Sequence, residues 1–461
     1  MRRAIASLAA LAALALGAGA SAQDMAITNA TVALGDGSEP IEGGTVVVRG
    51  GRIVAAGAGV AVPAGVPVMD GTGRWVTPGL FAALTDIGLA DIDAVWESND
   101  KSAAGSAFSA ALDVAPAINP AAQEFALGRE AGVTRASVMP FASSSIFAGQ
   151  GALIDLGADR DAVRRPRAFQ YIELGESGAR RAGGSRTSAH ALLRNALREA
   201  RTLDGDARIP GSQVRGQEQD FGDDIPVDPR LSGNDRVERA SDALLTRFDA
   251  AALVPVLRGE QQLYVEVDRA QDILSAIALR SEFPRLDLVI VGAAEGWQVA
   301  REIAASGVPV IAPALIDLPE QFEKLASTQS NIGRMQDAGV TVAIGKYGAN
   351  GSAPRDATQM AGNLVALTNV PRATGLTWGE ALAAITSVPA RISGLGGRAG
   401  VLAAGAAGDV VIWDGDPLEL SSAPVAVYID GVEQPFDSHQ SRLKERYRDL
   451  DESDLPKAYD W

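Results

Sequence analysis

Three copies of one junction constrain the fold of this chain more than any other feature. In each copy a helical segment ends on a glycine and a β-branched strand follows: Ala131-Gly132-Val133, Ser306-Gly307-Val308 and Ala338-Gly339-Val340. Glycine ends a helix because it takes the left-handed conformation at little steric cost. Strands at 286–291, 308–312 and 340–344 alternate with helices near 295–305 and 355–367, which predicts parallel βα units of an α/β fold. The length of the repeat region favours a (β/α)8 TIM barrel over an open sheet.

Short strands at both ends of the chain predict a second, smaller domain. Strands at 45–49 and 52–55 flank the pair Gly50-Gly51, and strands at 409–413 and 425–429 precede the turn Asp430-Gly431. Such pairs of strands around a tight turn form hairpins. We predict one β-sandwich made of residues 23–76 and 396–435, with the barrel at 77–395. Two unrelated hairpins are the alternative.

The first residues have the three-part layout of a secretory signal peptide. Arg2-Arg3 precedes an apolar stretch at 4–16, and small residues end at Ala20-Ser21-Ala22. This layout predicts a signal peptide at 1–22 and a mature protein that begins at Gln23, exported to the periplasm or secreted. The apolar stretch is too short to span a bilayer. We therefore predict no membrane span after signal cleavage.

Composition excludes several kinds of site and partner. The chain has no cysteine, which rules out disulfides, thiol nucleophiles and thiolate metal ligands. Its formal net charge of -16 argues against nucleic acid as a partner, because such binding needs basic surface. No cofactor follows from the composition.

Two polar segments interrupt the pattern. A segment near 202–238, rich in Gly, Asp, Arg, Gln and Pro, is a long insertion in the barrel, and it is either a functional lid or disordered. The charged tail at 436–461 has a helical pattern over 440–450. It is predicted to clasp the barrel or a partner subunit.

Several motifs together closely resemble the amidohydrolase superfamily, in particular imidazolonepropionase and prolidase-like relatives. The resemblance spans nearly the whole mature chain. It rests on Gly73-Arg74-Trp75-Val76-Thr77-Pro78-Gly79-Leu80, Ala131-Gly132-Val133-Thr134, Gly149-Gln150-Gly151-Ala152, Trp378-Gly379-Glu380-Ala381-Leu382, Pro389-Ala390-Arg391, Gly408-Asp409-Val410-Val411 and Trp413-Asp414-Gly415-Asp416-Pro417-Leu418.

The resemblance implies a metal site at the ends of the barrel strands. In active relatives a His-x-His pair ends strand one, further histidines end strands five and six, and an aspartate ends strand eight. These residues bind one or two divalent metals, which make hydroxide from water and polarise the scissile carbonyl. Because the ligands create the nucleophile, their loss implies the loss of this chemistry.

At those positions this chain carries other residues. Its two histidines, His190 and His439, lie in a helical stretch and in the tail, where the ordinary interpretation is a helix or surface side chain. The residues that stand at or beside the ligand positions are Leu84, Asp86, Glu266, Asp268, Gly292, Glu295, Lys346 and Tyr347.

Three functions remain open. The first is a non-catalytic relative that binds a ligand or pairs with an active homologue, as a homodimer or heteromer. The second is a hydrolase of carbon–nitrogen bonds with a rebuilt carboxylate site, in which Asp86, Glu266, Asp268 and Glu295 hold magnesium, calcium or manganese. The third is metal-free hydrolysis by Tyr347 or Lys346. Acids paired to bases favour the first hypothesis, and clustered unpaired acids favour the second.

The loop before Gly149-Gln150-Gly151 borders the site in relatives. Ser145 and Gln150 are therefore candidate contacts for a substrate.

Overall fold

The computed structural model describes residues 22–92, 94–203, 244–348 and 353–448. The predicted signal peptide apart from its last residue, the predicted insertion beyond Leu203 and the end of the predicted tail lie outside the described residues. The chain forms two sheets: five strands at the start and three at the end make one sheet, and the strands between them make the other.

The barrel sheet has eight strands, and each strand lies beside the strands that precede and follow it in the sequence. They are β6 (Leu80–Thr85), β7 (Val133–Val138), β8 (Phe147–Asp155), β9 (Val163–Glu173), β10 (Gln262–Val267), β11 (Leu288–Gly292), β12 (Val310–Ala312) and β13 (Val342–Ile344). A parallel bridge between Ala83 and Gly345 connects the first strand to the last. The predicted α/β barrel with a second domain is confirmed, and its strands are apolar on both faces because helices cover the outside.

One strand departs from the all-parallel arrangement. Strand β8 pairs antiparallel with both β7 and β9, whereas the other neighbours in the barrel are parallel. A turn at 156–162 joins β8 to β9 without a helix, so this connection is a hairpin and not a βα unit. The loop before β8 therefore lies at the same end of the barrel as the carboxyl ends of the parallel strands.

Helices cover the barrel, and three of them end at the glycine junctions that the sequence predicts. The three junction glycines, Gly132, Gly307 and Gly339, all have positive φ values, as a left-handed helix end requires. The helices are α1 (Gln123–Glu130), α2 (Glu176–Arg181), α3 (Arg186–Leu203), α4 (Arg247–Ala252), α5 (Val254–Arg258), α6 (Ala270–Ile277), α7 (Leu279–Glu282), α8 (Ala300–Ser306), α9 (Asn331–Asp337), α10 (Ala357–Ala366), α11 (Trp378–Ala384), α12 (Ser387–Ile392) and α13 (His439–Tyr447).

The second sheet joins the two ends of the chain. Its strands are β1 (Met25–Val32), β2 (Ile41–Arg49), β3 (Arg52–Gly57), β4 (Val68–Asp70), β5 (Trp75–Pro78), β14 (Val410–Trp413), β15 (Pro424–Ile429) and β16 (Val432–Glu433). Strand β5 pairs antiparallel with β14, and β1 pairs with β2, β4 and β5. The two terminal segments thus form one sheet, while the exact limits of the domains remain predictions.

A largely buried arginine ties the two sheets together. Arg135 on β7 donates to both oxygens of Asp409 at 2.6 and 3.1 Å, and to Asp430 at 2.8 Å. Asp409 and Asp430 flank strands of the second sheet, so this network fixes that sheet against the barrel. Among the helices that the structure describes, none combines the length and the apolar character that crossing a membrane requires.

Candidate functional site at the barrel mouth

Charged side chains gather at the carboxyl ends of the barrel strands, which we call the barrel mouth. Glu173 ends β9, Glu266 and Asp268 lie at the end of β10, and Lys346 follows β13. Each is buried or largely buried. The mouth is where barrel enzymes of this architecture carry their reacting groups, because loops of every βα unit meet there.

Glu266 is held by two neighbours. One carboxylate oxygen lies 2.5 Å from Nζ of Lys346, and the other accepts a hydrogen bond of 2.5 Å from the hydroxyl of Tyr171. Burial acts to raise the pKa of Glu266, but the charge of Lys346 and these hydrogen bonds outweigh it and lower the pKa. Burial likewise acts to lower the pKa of Lys346, but Glu266 and Asp268 raise it above its ordinary value. The pair is therefore ionised at neutral pH.

The carboxylate of Asp268 occupies the space into which a side chain at Gly292, the last residue of the neighbouring strand β11, would project. Its carboxylate is 3.6 Å from Nζ of Lys324 and accepts a hydrogen bond of 3.1 Å from the amide of Ala294. A Cβ atom at Gly292 would lie 2.6 Å from Oδ1 of Asp268, and Gly292 has a φ of +92°. Burial raises the pKa of Asp268 above its ordinary value. Any side chain at Gly292 would thus meet the Asp268 carboxylate.

Glu173 belongs to the site although the sequence analysis did not single it out. Its carboxylate is paired with Arg181, which also donates to the carbonyls of Ala142 and Ser143 at 2.8 and 2.9 Å. Burial, followed by the negative charge of Glu266, raises the pKa of Glu173 to about 7. The signal in the sequence was its position as the last residue of a strand.

Asp86 is paired with Lys101, with 2.5 Å between Oδ2 and Nζ. Both side chains are mostly buried and line a cavity of about 220 Å³ beside α1. Gly348 leaves room for this pair, because a Cβ there would lie 2.8 Å from Oδ1 of Asp86. The four mouth carboxylates, Asp86, Glu173, Glu266 and Asp268, each have a basic partner.

The other predicted site residues lie apart from these pairs. Glu295 accepts backbone amide protons from Ala270 and Ala326, both at 3.1 Å, so its carboxylate fixes loops. Tyr347 is buried in the core outside the barrel sheet, and burial raises its pKa. Among the described residues its hydroxyl has no hydrogen-bond partner.

The predicted substrate contacts are also separated from one another. Gln150 lies in the middle of β8, where its side chain accepts a hydrogen bond of 3.1 Å from Gln261. Ser145 lies in the loop before β8, near the carbonyls that Arg181 holds, and its hydroxyl accepts from the amide of Phe147. Ser145 is therefore the one of the two that lies at the barrel mouth.

A loop segment that we call the strap, residues 318–326, covers the mouth. Lys324 reaches Asp268, while Glu323 accepts hydrogen bonds from the amide of Glu176 at 2.6 Å and from Arg186 at 3.0 Å. Glu323 and Lys324 are buried, whereas Phe322 between Gln321 and Glu323 is 83% exposed. Glu323 and Lys324 thus point inward at the mouth, while Leu318, Phe322 and Leu325 face solvent.

Strained backbone surrounds the same region. Leu84 at the end of β6, Ala293 after β11, Leu315 after β12 and Lys346 after β13 all have positive φ values between 51° and 66°. Each such residue costs about 1–3 kcal/mol and persists only where its surroundings hold it. Strain of this kind concentrates at ligand-binding and reacting centres.

The donor set at the mouth does not fit a metal ion. Neither His190 on α3 nor His439 on α13 lies at a strand end. In the described part of the chain, no three histidine, cysteine or acidic residues form a group that could hold a metal. A divalent ion among these carboxylates would have to displace ammonium and guanidinium groups that already neutralise them.

Comparisons with known proteins relate the chain to amidohydrolases. The sequence model of the amidohydrolase family matches residues 291–433. Amidohydrolase tasK of Hapsidospora irregularis is 48% identical over 60 residues, which is 13% of this chain and only 6% of that protein's length. Among solved structures, an amidohydrolase from Thermotoga maritima superimposes with a TM-score of 0.72 at 23% identity, covering 89% of this chain and 99% of that one. Molinate hydrolase superimposes with a TM-score of 0.53 at 17% identity, covering 90% and 95%.

Proposed function

We propose that the chain is a member of the amidohydrolase superfamily that does not perform metal-dependent hydrolysis but serves as a ligand-binding protein or as the partner subunit of an active homologue. The observation that carries this proposal is the pairing of the mouth carboxylates. Asp86, Glu266 and Asp268 each contact a lysine ammonium, and Glu173 contacts Arg181.

Electrostatics explains why these pairs argue against a metal. Carboxylates that bind a divalent ion must direct lone pairs at a common point and remain deprotonated. Here the ammonium of Lys346 already neutralises the charge of Glu266, so the carboxylate does not need a metal cation as a partner. Breaking such a pair leaves an uncompensated buried charge, which costs several kcal/mol. The lysines therefore compete with a metal for the same oxygens.

The closed mouth supports the same proposal. The strap buries Glu323 and Lys324 over the strand ends and is held by Arg186 and Asp268. Access of a substrate to the mouth would require these contacts to open. Because its own side chains fill the mouth, we expect this barrel to bind a ligand or a partner subunit at another surface.

One observation favours a second candidate function, hydrolysis of carbon–nitrogen bonds in amides through a rebuilt carboxylate metal site. The four strained residues at the strand ends are a feature of reacting centres. In this alternative Asp86, Glu266, Asp268 and Glu295 would be the ligands.

Metal content after dialysis against trace zinc, manganese, magnesium and calcium tests the two functions. We expect less than stoichiometric metal in the purified protein, and no change in the Glu266→Ala and Asp86→Ala variants. Stoichiometric metal that both variants lose would overturn the proposal and support the alternative. A screen of cyclic amides and dipeptides then measures hydrolysis directly, with the Lys444→Met variant as a control for changes outside the mouth.

Export and partnership belong to the same proposal. We expect the mature protein to begin at Gln23 in a periplasmic or secreted fraction, which mass spectrometry of that fraction measures. A histidine-bearing homologue recovered with the purified chain would support the partner role, and a homodimer by light scattering would support self-association. Retention of residues 1–22 in the cytoplasm would contradict export.

A further inference from the structure

A cleft of about 970 Å³ lies on the outside of the barrel, away from the paired carboxylates of the mouth. It runs between α1, the turn that follows β8 and the beginning of α13. We call it the α1–α13 cleft. Its charged lining includes Arg129, Arg160, Arg442, Asp91, Asp159 and Asp437.

Arg129 is the unusual member of this lining. The residue is 7% exposed, and its Nη1 atom donates to the carbonyl of Leu156 at 3.0 Å. Its Nε atom has no hydrogen-bond partner, and within the described residues Arg129 forms no ion pair. Burial lowers its pKa, although a guanidinium stays protonated in proteins. A buried cation without an anion costs free energy that a bound anion would recover.

The acids of the cleft do not supply that anion. Asp91 accepts from the side-chain amide of Asn119 at 2.9 Å, and Asp159 accepts from the backbone amide of Asp161 at 2.8 Å. The remaining acid, Asp437, pairs with Arg442 at 3.4 Å. Each acid therefore has its own partner and none contacts Arg129.

The lining has three arginines and three aspartates, and in the described part of the chain two of these arginines, Arg129 and Arg160, make no ion pair. Arg160 is exposed at the turn after β8. The amino end of α1 lines the same cleft, and its N-cap residue Ala122 has no side chain that could accept from the first amides. Helix amino ends attract anions for this reason.

We propose that the α1–α13 cleft binds a small oxyanion, a carboxylate or phosphate group, with Arg129 as the anchoring residue. One guanidinium nitrogen of Arg129, Nη1, is bonded to the carbonyl of Leu156, and the rest of the group keeps N–H donors of the kind that bind the oxygens of a carboxylate or phosphate. Arg160 adds charge at the rim. This site is separate from the barrel mouth and does not depend on whether the mouth is catalytic.

Titration calorimetry of the purified protein with inorganic phosphate and with succinate, in a chloride buffer of constant ionic strength, tests the proposal. We expect saturable binding, weakened about tenfold or more in Arg129→Met, which keeps the bulk but removes the charge. Arg129→Lys keeps the charge without the paired donors and should fall between the two. Arg280→Met is the control, because Arg280 also donates to a backbone carbonyl but lies outside the cleft.

A thermal melt of each variant separates ligand binding from a structural role. We expect Arg129→Met to be as stable as the unaltered protein in chloride buffer and to lose only the stabilisation that the anion adds. Tighter binding of phosphate than of succinate, or the reverse, identifies the form of oxyanion that the cleft prefers. The proposal is overturned if neither anion binds, if all variants respond equally, or if Arg129→Met is destabilised without any change in anion binding.

Discussion

The ammonium of Lys346 lies 2.5 Å from one carboxylate oxygen of Glu266, and the hydroxyl of Tyr171 lies 2.5 Å from the other. Both oxygens of Glu266 are therefore occupied by donors from the protein itself. Lys346 follows β13 and Tyr171 lies on β9, so the contact also connects strands on either side of the barrel.

Replacing Lys346 by methionine should destabilise the protein by about 3 kcal/mol, because Glu266 would keep its charge without its main partner. Urea unfolding at pH 7.5 measures the free energy. The double variant Lys346→Met/Glu266→Gln should recover a large part of the loss, since it removes both charges. Lys444→Met, on the exposed face of α13, should change the free energy by less than about 0.5 kcal/mol. Equal effects of the Lys346 and Lys444 variants would contradict the structure.

Stability should depend on pH through Glu173. Its pKa rises from 4.5 to about 7 on folding, so the folded protein binds this proton more tightly than the unfolded chain. The contribution of Glu173 to stability is therefore greatest below pH 4.5 and is lost as the pH rises to about 7, by roughly 2–3 kcal/mol. The Glu173→Gln variant should lack this part of the pH dependence.

Unfolding free energies measured between pH 5 and 8 for the unaltered protein and Glu173→Gln provide the check. Glu302→Gln, an exposed acid on α8, is the control and should leave the pH profile unchanged. A profile of Glu173→Gln that is parallel to that of the unaltered protein would refute the assignment.

Gly292→Ala should cost at least about 2 kcal/mol, because the new Cβ would combine a positive φ with a contact of 2.6 Å to Asp268. Gly307→Ala is a matched control: its φ is +68°, but its Cβ would meet nothing within 4 Å. The difference between the two variants measures mainly the contact with Asp268, because the nearest approach to another residue at Gly292 is 3.3 Å, to the carbonyl oxygen of Val267. In an Asp268→Ala background most of the difference should disappear, leaving the 3.3 Å approach to the carbonyl oxygen of Val267, and a difference that persists undiminished there would show that Asp268 is not the cause.

The strap should open when Glu323 loses its charge. Glu323→Gln weakens the bonds from Arg186 and from the amide of Glu176, so amide exchange over 318–326 should accelerate about tenfold. Glu320→Gln changes an exposed acid on the same strap and should leave the exchange rates unaltered. Unchanged exchange in Glu323→Gln would mean that the other strap contacts suffice to hold it.

The repetitive parts of the structure were predictable and the pairings at the mouth were not. The glycine junctions specify helix ends and strands locally, so the βα units around Gly307 and Gly339 are where the sequence places them. Glu266 and Asp268 were found because the family resemblance places them at ligand positions, and their alternation puts both on one face of a strand. Lys101, Lys324 and Arg181 escaped notice, because loops far apart in the chain bring them to their carboxylates and no local pattern encodes that approach.

The antiparallel β8 was also missed, for a related reason. The residues 147–155 have the composition of a buried strand, which does not specify direction. Direction is set by the short turn at 156–162, which is too brief for a crossover helix. Gln150 was consequently expected near the mouth, although the hairpin holds it in the middle of the sheet.

The pairing of β5 with β14 has a consequence for the order in which the protein can assemble. The side chain of Trp413 donates to Thr77 across 336 positions of sequence, so Thr77 lacks this donor until residue 413 has been synthesised. Contacts of such separation form slowly, because a long loop must close first. The amino-terminal strands must wait, incompletely paired, for the last part of the polypeptide. The second sheet can therefore be completed only after the barrel strands between β5 and β14 have been synthesised.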